Sequence, residues 1–154
     1  MDKNKLIWKN KKWEKLSSKE IHDIFALRSK VFVVEQNCVY QDIDNKDLKA
    51  IHVLGVFKNR IIAYARCFNQ GDYFKELSFG RAIVEKEQRG KGIGGELIKE
   101  TLKNIKKIWI DNKIKISAQA HLSAFYEKYG FKKMGKNYLE DGILHIEMLL
   151  ENTK

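Results

Sequence analysis

The sequence predicts a mixed α/β (α+β) fold, a central twisted sheet that is mostly antiparallel with helices on both faces. Three observations predict it. Strand-like and helix-like hydrophobic periods follow one another in the order βαβββαβαββ along 154 residues. Residues 79–98 pass from a buried strand through a short charged turn and a glycine-rich bend into an amphipathic helix. No repeat, linker, low-complexity tract or proline interrupts the chain, so residues 1–154 read as a single domain.

Each element has its own signal. An alternating segment over residues 6–16 predicts the first strand. Ser17-Ser18-Lys19-Glu20 then reads as a capping box, with Ser17 as N-cap and Glu20 three residues on. Ile21, Ile24, Phe25, Arg28, Val31 and Phe32 recur behind it at helical spacing, and the helix gives way to a polar loop over residues 35–49. Residues 50–57 and 60–68 predict two strands joined at Lys58-Asn59, a short hairpin with asparagine in its turn. After the Gly71-Asp72 turn a strand covers residues 76–84. The next helix has an inner stripe of Ile93, Leu97, Ile98, Leu102, Ile105 and Ile108, and carries Glu96, Lys99, Glu100, Lys103 and Lys107 outside. Residues 113–117 predict a strand, 121–128 a short helix, 131–134 a strand and 143–150 a last one.

Composition narrows the function classes. With 30 Lys and Arg against 20 Asp and Glu, the formal net charge is +10 and the pI near 9.5. Lysines supply most of it and are scattered along the chain, which predicts a solvated surface and no dedicated nucleic-acid partner. No apolar stretch approaches the roughly 20 residues that span a bilayer, and residues 1–5 lead into no signal core, so no membrane association is expected. Cys38 and Cys67 match no metal spacing and are too few for a disulfide framework. Reduced thiols in a cytoplasmic protein follow, with no metal. Asp42, Asp44 and Asp47 lack the glycine of a calcium loop. They read either as a solvated, helix-terminating loop or as an acidic rim that attracts a cationic amine.

The glycine run asks which phosphate it holds. Backbone amides left free at a helix N-terminus form an anion site, and Arg89 and Lys91 flank the first glycine. A P-loop needs Lys and then Ser or Thr, which Gly94-Gly95-Glu96 excludes. Gly90, Gly92 and Gly95 do spell a dinucleotide fingerprint, with Asp111 near the distance of a ribose ligand. There, however, the first glycine follows its strand directly, whereas residues 85–89 intervene here and too little chain remains for a doubly wound domain.

A third pattern fits in full. Arg89-Gly90-Lys91-Gly92-Ile93-Gly94, after the strand Ala82-Ile83-Val84, resembles the acetyl-CoA signature of the GNAT acyltransferases: Gln or Arg, two residues, Gly, one residue, Gly or Ala. Residues 124–131, Ala-Phe-Tyr-Glu-Lys-Tyr-Gly-Phe, resemble the superfamily's other marker in the right order and spacing. The stretches 31–38, 40–44 and 118–122, and Glu140-Asp141-Gly142-Ile143 with His145, are similar to the ElaA branch of that family.

That resemblance implies acetyl-CoA as cosubstrate and direct transfer of the acetyl group to a primary amine of a small molecule or peptide, without a covalent enzyme intermediate. Pantetheine would lie beside Ala82, Ile83 and Val84. Arg89, Gly90, Lys91, Gly92, Ile93, Gly94 and Gly95 would hold the pyrophosphate, helped by the helix dipole. Glycines in a helix's first turn cost about 1 kcal/mol each relative to alanine, which disfavours a purely structural reason for several of them. Tyr126 stands where the family places the general acid for the leaving thiolate; a phenol with a reference pKa of about 10 is protonated at neutral pH. Glu35 and His121 are the candidates for general base, followed by His145 and His52. Arg28 and Arg81 read as substrate carboxylate anchors or as ordinary ion-pair partners. Gln119 replaces an asparagine common in the family. The acceptor itself, and whether the chain forms a homodimer, stay open. The alternative function is a GNAT-like module that binds or senses acyl-CoA without turnover; a basic nucleic-acid-binding domain is the third.

Overall fold

Apolar alternation and helix caps build the elements in the order expected. The computed structural model describes residues 5–111 and 113–151. Its strands are β1 (Ile7–Lys12), β2 (Ile51–Phe57), β3 (Arg60–Phe68), β4 (Ser78–Val84), β5 (Lys113–Gln119), β6 (Lys132–Glu140) and β7 (Ile143–Glu151). Its α-helices are α1 (Ser18–Arg28), α2 (Ile93–Ile108) and α3 (Ser123–Glu127). The capping box that starts α1 is formed in both directions: the Glu20 N–H donates to Ser17 Oγ at 3.1 Å and the Ser17 N–H to Glu20 Oε1 at 2.9 Å.

Strands β1 to β4 form an antiparallel meander, and β5, β7 and β6 a second antiparallel group in that order. The two halves meet where β4 and β5 run parallel. A single bridge pairs Leu77 with Ile114, and the Lys115 N–H donates to the Leu77 carbonyl at 2.8 Å. Past that bridge the facing edges of β4 and β5 are not paired among the described residues. A bulge in β4 bends it there. Tyr64 pairs with Ile83 and Arg66 with Gly80, so Arg81 and Ala82 together face one residue of β3. Arg81 absorbs the extra residue at φ +50°, a conformation that a non-glycine side chain adopts only under constraint.

Each face of the sheet has its own core. Leu97, Ile98, Leu102 and Ile105 of α2 pack on Ile51, Val53, Ala65, Cys67 and Phe79, and on Ile116, Ile146 and Met148 of the second half. On the opposite face Ile24, Leu27 and Val31 pack on Leu54, Tyr64 and Ile83. With both faces covered, β2 and β3 read as nearly continuous apolar runs.

Three boundaries differ most from those expected, the others by two residues or fewer. The chain leaves β1 at Lys12 and passes through a 3-10 turn at Trp13–Lys15. Beyond α1, Ser29–Glu35 continues as a π-helix, whose wider winding carries Glu35 out towards the glycine loop. Strand β6 runs to Glu140 and not to residue 134, because its ladder with β7 resumes at Tyr138 after an irregularity that hydrophobic alternation does not signal.

Candidate active site

A cavity of about 460 Å³ occupies the gap between β4 and β5. It is lined by Leu97 and Ile98 from the α2 face and by Val31 and Phe32 from the α1 face, so it passes through the sheet.

On the α2 face the glycine loop stands at the cavity edge. Gly90 and Gly92 both have φ +80°, and nothing lies within 4 Å of where a Cβ would stand, so conformation and not space demands glycine at these positions. Gly92 caps α2 without a side-chain hydrogen bond, and the first intrahelical bond is donated by the Glu96 N–H. Among the described residues the first-turn amides have no side-chain partner, Gly92, Ile93 and Gly94 line the cavity, and the positive end of a 16-residue helix lies behind them. Ala82, Ile83, Val84, Arg89, Gly90, Gly92, Ile93 and Gly94 line the cavity; Lys91 and Gly95 do not. The Lys91 Nζ donates to Gln88 Oε1 at 3.1 Å. A Cβ on Gly95 would stand 2.6 Å from the Tyr129 hydroxyl, so that glycine admits a tyrosine.

Arg89 is already occupied. Its Nε donates to the Val84 carbonyl at 3.0 Å, and its Nη1 and Nη2 lie 2.8 and 3.2 Å from the two oxygens of Glu35. Glu35, one of the two candidates for the base, has its carboxylate paired with the arginine that opens the glycine loop.

Tyr126 lines the cavity from α3, 8% exposed and packed edge-on to Phe125 and Phe131. Burial pushes its phenol up to about 12, and its hydroxyl has no hydrogen-bond partner among the described residues. His121 lies in the 3-10 turn Ala120–Leu122 after β5, is exposed, and lines the cavity. His52 is no base: it is fully buried, with Nδ1 2.6 Å from the Tyr64 hydroxyl and Nε2 2.9 Å from the Asp47 carbonyl. His145 faces Gln119 across the β5–β7 ladder; its Nδ1 lies 2.8 Å from the Ile143 carbonyl and its Nε2 3.2 Å from Glu140 Oε2. Gln119 itself donates to Gln36 Oε1 at 3.3 Å.

The α1 face of the cavity is built from charge. Arg28 is fully buried, with Nε on Asp42 Oδ2 at 2.9 Å, Nη1 on Asp47 Oδ1 at 2.6 Å and Nη2 on the Asp42 carbonyl at 2.9 Å. Arg66 bonds Asp44 at 2.6 and 3.0 Å and Asp47 at 2.9 Å. Arg81 donates from Nε to Asp42 Oδ1 at 2.7 Å. Three guanidinium groups thus balance three carboxylates, as burial requires. Burial alone would raise the Asp44 carboxyl, but the Arg66 guanidinium outweighs it and holds the group below the usual carboxylate range. Asp42, Asp44 and Asp47 are therefore neither a solvated loop nor an open acidic rim, and Arg28 is an internal ion-pair partner. Tyr73, Ser117 and Glu140, which pattern reading did not single out as site residues, join Arg66, Arg81 and His145 on the cavity wall.

Cys38 and Cys67 are free and buried, and burial pushes the Cys67 thiol up to about 12. Among the described residues no cluster of three or more His, Cys, Asp or Glu side chains is arranged to hold a metal ion, and no helix is long and apolar enough to cross a membrane. Asp111 sits beside Gln70, and the antiparallel sheet has no place for a doubly wound nucleotide domain.

Comparison with known proteins agrees with this geometry. The profile of the acetyltransferase (GNAT) domain matches residues 14–152. The chain belongs to the GNAT acetyltransferase family. Protein ElaA of Escherichia coli (strain K12) is 40% identical over 146 residues, 94% of this chain and 95% of its own. A protein of Schizosaccharomyces pombe is 38% identical over 143 residues, covering 92% and 94%. Among solved structures, an acyl-CoA N-acyltransferase from Pseudomonas aeruginosa superposes with a TM-score of 0.90 at 36% identity, covering 95% of this chain and 99% of that one. Escherichia coli ElaA superposes with a TM-score of 0.89 at 38% identity, covering 96% and 100%. A GNAT acetyltransferase from Elizabethkingia anophelis with acetyl-CoA bound shares the fold at 16% identity, with a TM-score of 0.65 over 98% of this chain and 99% of that one. GNAT membership and the ElaA-like relatives support acyl-CoA-dependent acyl transfer as the chemistry of this chain.

Proposed function

We propose that the chain is an acetyl-CoA-dependent N-acetyltransferase that moves the acetyl group directly to a primary amine of a small molecule or peptide. The carrying observation is the uncapped N-terminus of α2, with Gly90 and Gly92 left-handed, at the mouth of a gap between two unpaired strand edges. The bound thioester supplies an activated acyl group. The protein supplies the rest. First-turn amides of α2 hold the pyrophosphate, and the free main-chain groups of β4 beside Ala82–Val84 pair with the amide-bearing pantetheine arm.

Tyr126 keeps its proton until the carbon–sulfur bond breaks and then gives it to the sulfur. A buried phenol whose proton is held more tightly than usual suits that task at neutral pH. The acceptor ammonium first gives one proton to solvent to become a neutral amine, and as the new carbon–nitrogen bond forms the nitrogen gives a second proton to a base. We assign that base to His121, which reaches the cavity from the turn before α3, since Glu35 is held by Arg89. Two buried free thiols support a cytoplasmic site of action.

Calorimetric titration with acetyl-CoA, followed by thiol release over a panel of amines, tests this. Gly92→Asp places a carboxylate against the phosphates on a left-handed backbone and is expected to weaken acetyl-CoA binding at least a hundredfold. Unchanged affinity would mean that the loop holds no pyrophosphate. Tight acetyl-CoA binding without thiol release across the panel would favour an acyl-CoA sensor.

A further inference from the structure

The cavity wall carries two opposite charges, each with one polar atom left over among the described residues. Arg81 is fixed rigidly. Its Nε and Nη2 donate to the side chain and carbonyl of Asp42 at 2.7 and 3.3 Å, and its guanidinium carbon lies 5.7 Å from the ring centres of both Phe32 and Tyr40. Nη1 makes no hydrogen bond among the described residues, and the side chain is 20% exposed on the cavity wall. Arg28 is the contrast within the same cluster, with every nitrogen engaged and no exposure. The backbone that presents Arg81 is the strained residue of the β4 bulge, and strain of that kind persists at sites that use it.

Glu140 is the other half. Its Oε2 meets His145 at 3.2 Å, its Oε1 has no partner among the described residues, and it lines the same cavity. Arg81, Tyr73 and Glu140 all line this one cavity, Arg81 from the first half of the sheet and Glu140 from the second. The two charges therefore belong to one compartment. The three arginines and three aspartates already balance, so a ligand that added net charge would disturb a cluster largely withdrawn from water. A ligand with one charge of each sign adds none.

We propose that the acceptor is an amino acid or a close amino-carboxylate, its carboxylate taken by Nη1 of Arg81 and its ammonium by Oε1 of Glu140. This rests on the acetyltransferase reading of the site and names the acceptor class for it. The fixed guanidinium selects a planar carboxylate, and the carboxylate of Glu140 holds the nitrogen beside the acyl group.

The test is a binding series on the wild-type protein saturated with CoA, which cannot transfer. L-Alanine, L-leucine and L-phenylalanine are titrated calorimetrically beside their amides and their decarboxylated amines. At least one acid is expected to bind tenfold or more tighter than its amide, and Arg81→Gln is expected to level the two. Amides and amines that bind as tightly as the acids, or no binding by any acid, would overturn the proposal; the wild-type series decides even where the variant folds poorly. Thiol release from acetyl-CoA is read in parallel. A carboxylate preference without release would sink the acetyltransferase reading while supporting the amino-carboxylate site. Release without a preference would do the reverse.

Discussion

The Glu35–Arg89 pair makes a prediction that separates two roles for one carboxylate. Arg89 opens the loop proposed to hold the pyrophosphate, yet it is held in a forked contact with Glu35 at 2.8 and 3.2 Å, with 42% and 27% of the two side chains exposed. Glu35→Gln keeps the length of the side chain and removes the charge. A pair this exposed contributes about 0.5–1 kcal/mol after solvent screening, and bound phosphate must displace or share it. A carboxylate about 6 Å from a phosphate charge adds about 0.7 kcal/mol of repulsion in a water-like dielectric. Removing both terms favours acetyl-CoA by about 1–2 kcal/mol, or about 5–30-fold in affinity at low salt. The gain should shrink as the screening length falls from about 10 Å at 0.1 M salt to about 3 Å at 1 M. Titration calorimetry at the two salt concentrations measures it, and steady-state thiol release supplies kcat, expected within about threefold of wild type. Equal affinity at low salt together with a hundredfold loss of kcat would refute this reasoning and return Glu35 to the role of base.

Three further outcomes follow from burial and proton balance. Tyr126→Phe should lower kcat by about 10²–10⁴-fold while acetyl-CoA affinity holds, as expected for a general acid. Because burial raises this phenol to about 12, its own ionisation should not cut the pH–rate profile of the wild type below about pH 11; an alkaline limb near pH 10 that vanishes in the variant would contradict that. Asp47→Ala leaves Arg28 and Arg66 short of a partner in the interior and should cost about 3–5 kcal/mol in urea denaturation, where a loss below 1 kcal/mol would mean the cluster is not structural. His52 is neutral in the fold because burial lowers its pKa below 6.5. Its contribution is complete above pH 6.5, where the unfolded imidazole is also neutral, and is lost as pH falls towards the folded value. Denaturation at pH 7 and pH 5 should show that loss, and His52→Gln should flatten it.

What could be read from the chain, and what could not, divides along the two faces of the sheet. The cofactor side is written locally. Phosphate is recognised by backbone, and the residues that shape a backbone, Gly90, Gly92 and the helix start at Ile93, stand next to one another. The same holds for the Ser17 box and the hairpin at Lys58-Asn59, where neighbours in sequence determine the geometry. The charged side is written at long range. Asp42 meets Arg28 across 14 positions and Arg81 across 39, and Glu35 meets Arg89 across 54. No period or spacing records such pairs, so hydrophobic patterning shows residues 35–49 as a polar loop without showing which arginines it folds over. One signal was available. Arg66 stands between Ala65 and Cys67 in a strand apolar enough to be buried on both faces, and a charge at such a position requires a carboxylate from somewhere. The three aspartates of the loop were the nearest unclaimed set. A charge stranded in an apolar strand requires an acidic loop folded over it, and that requirement is what ties Arg66, on the cavity wall, to Asp44 and Asp47.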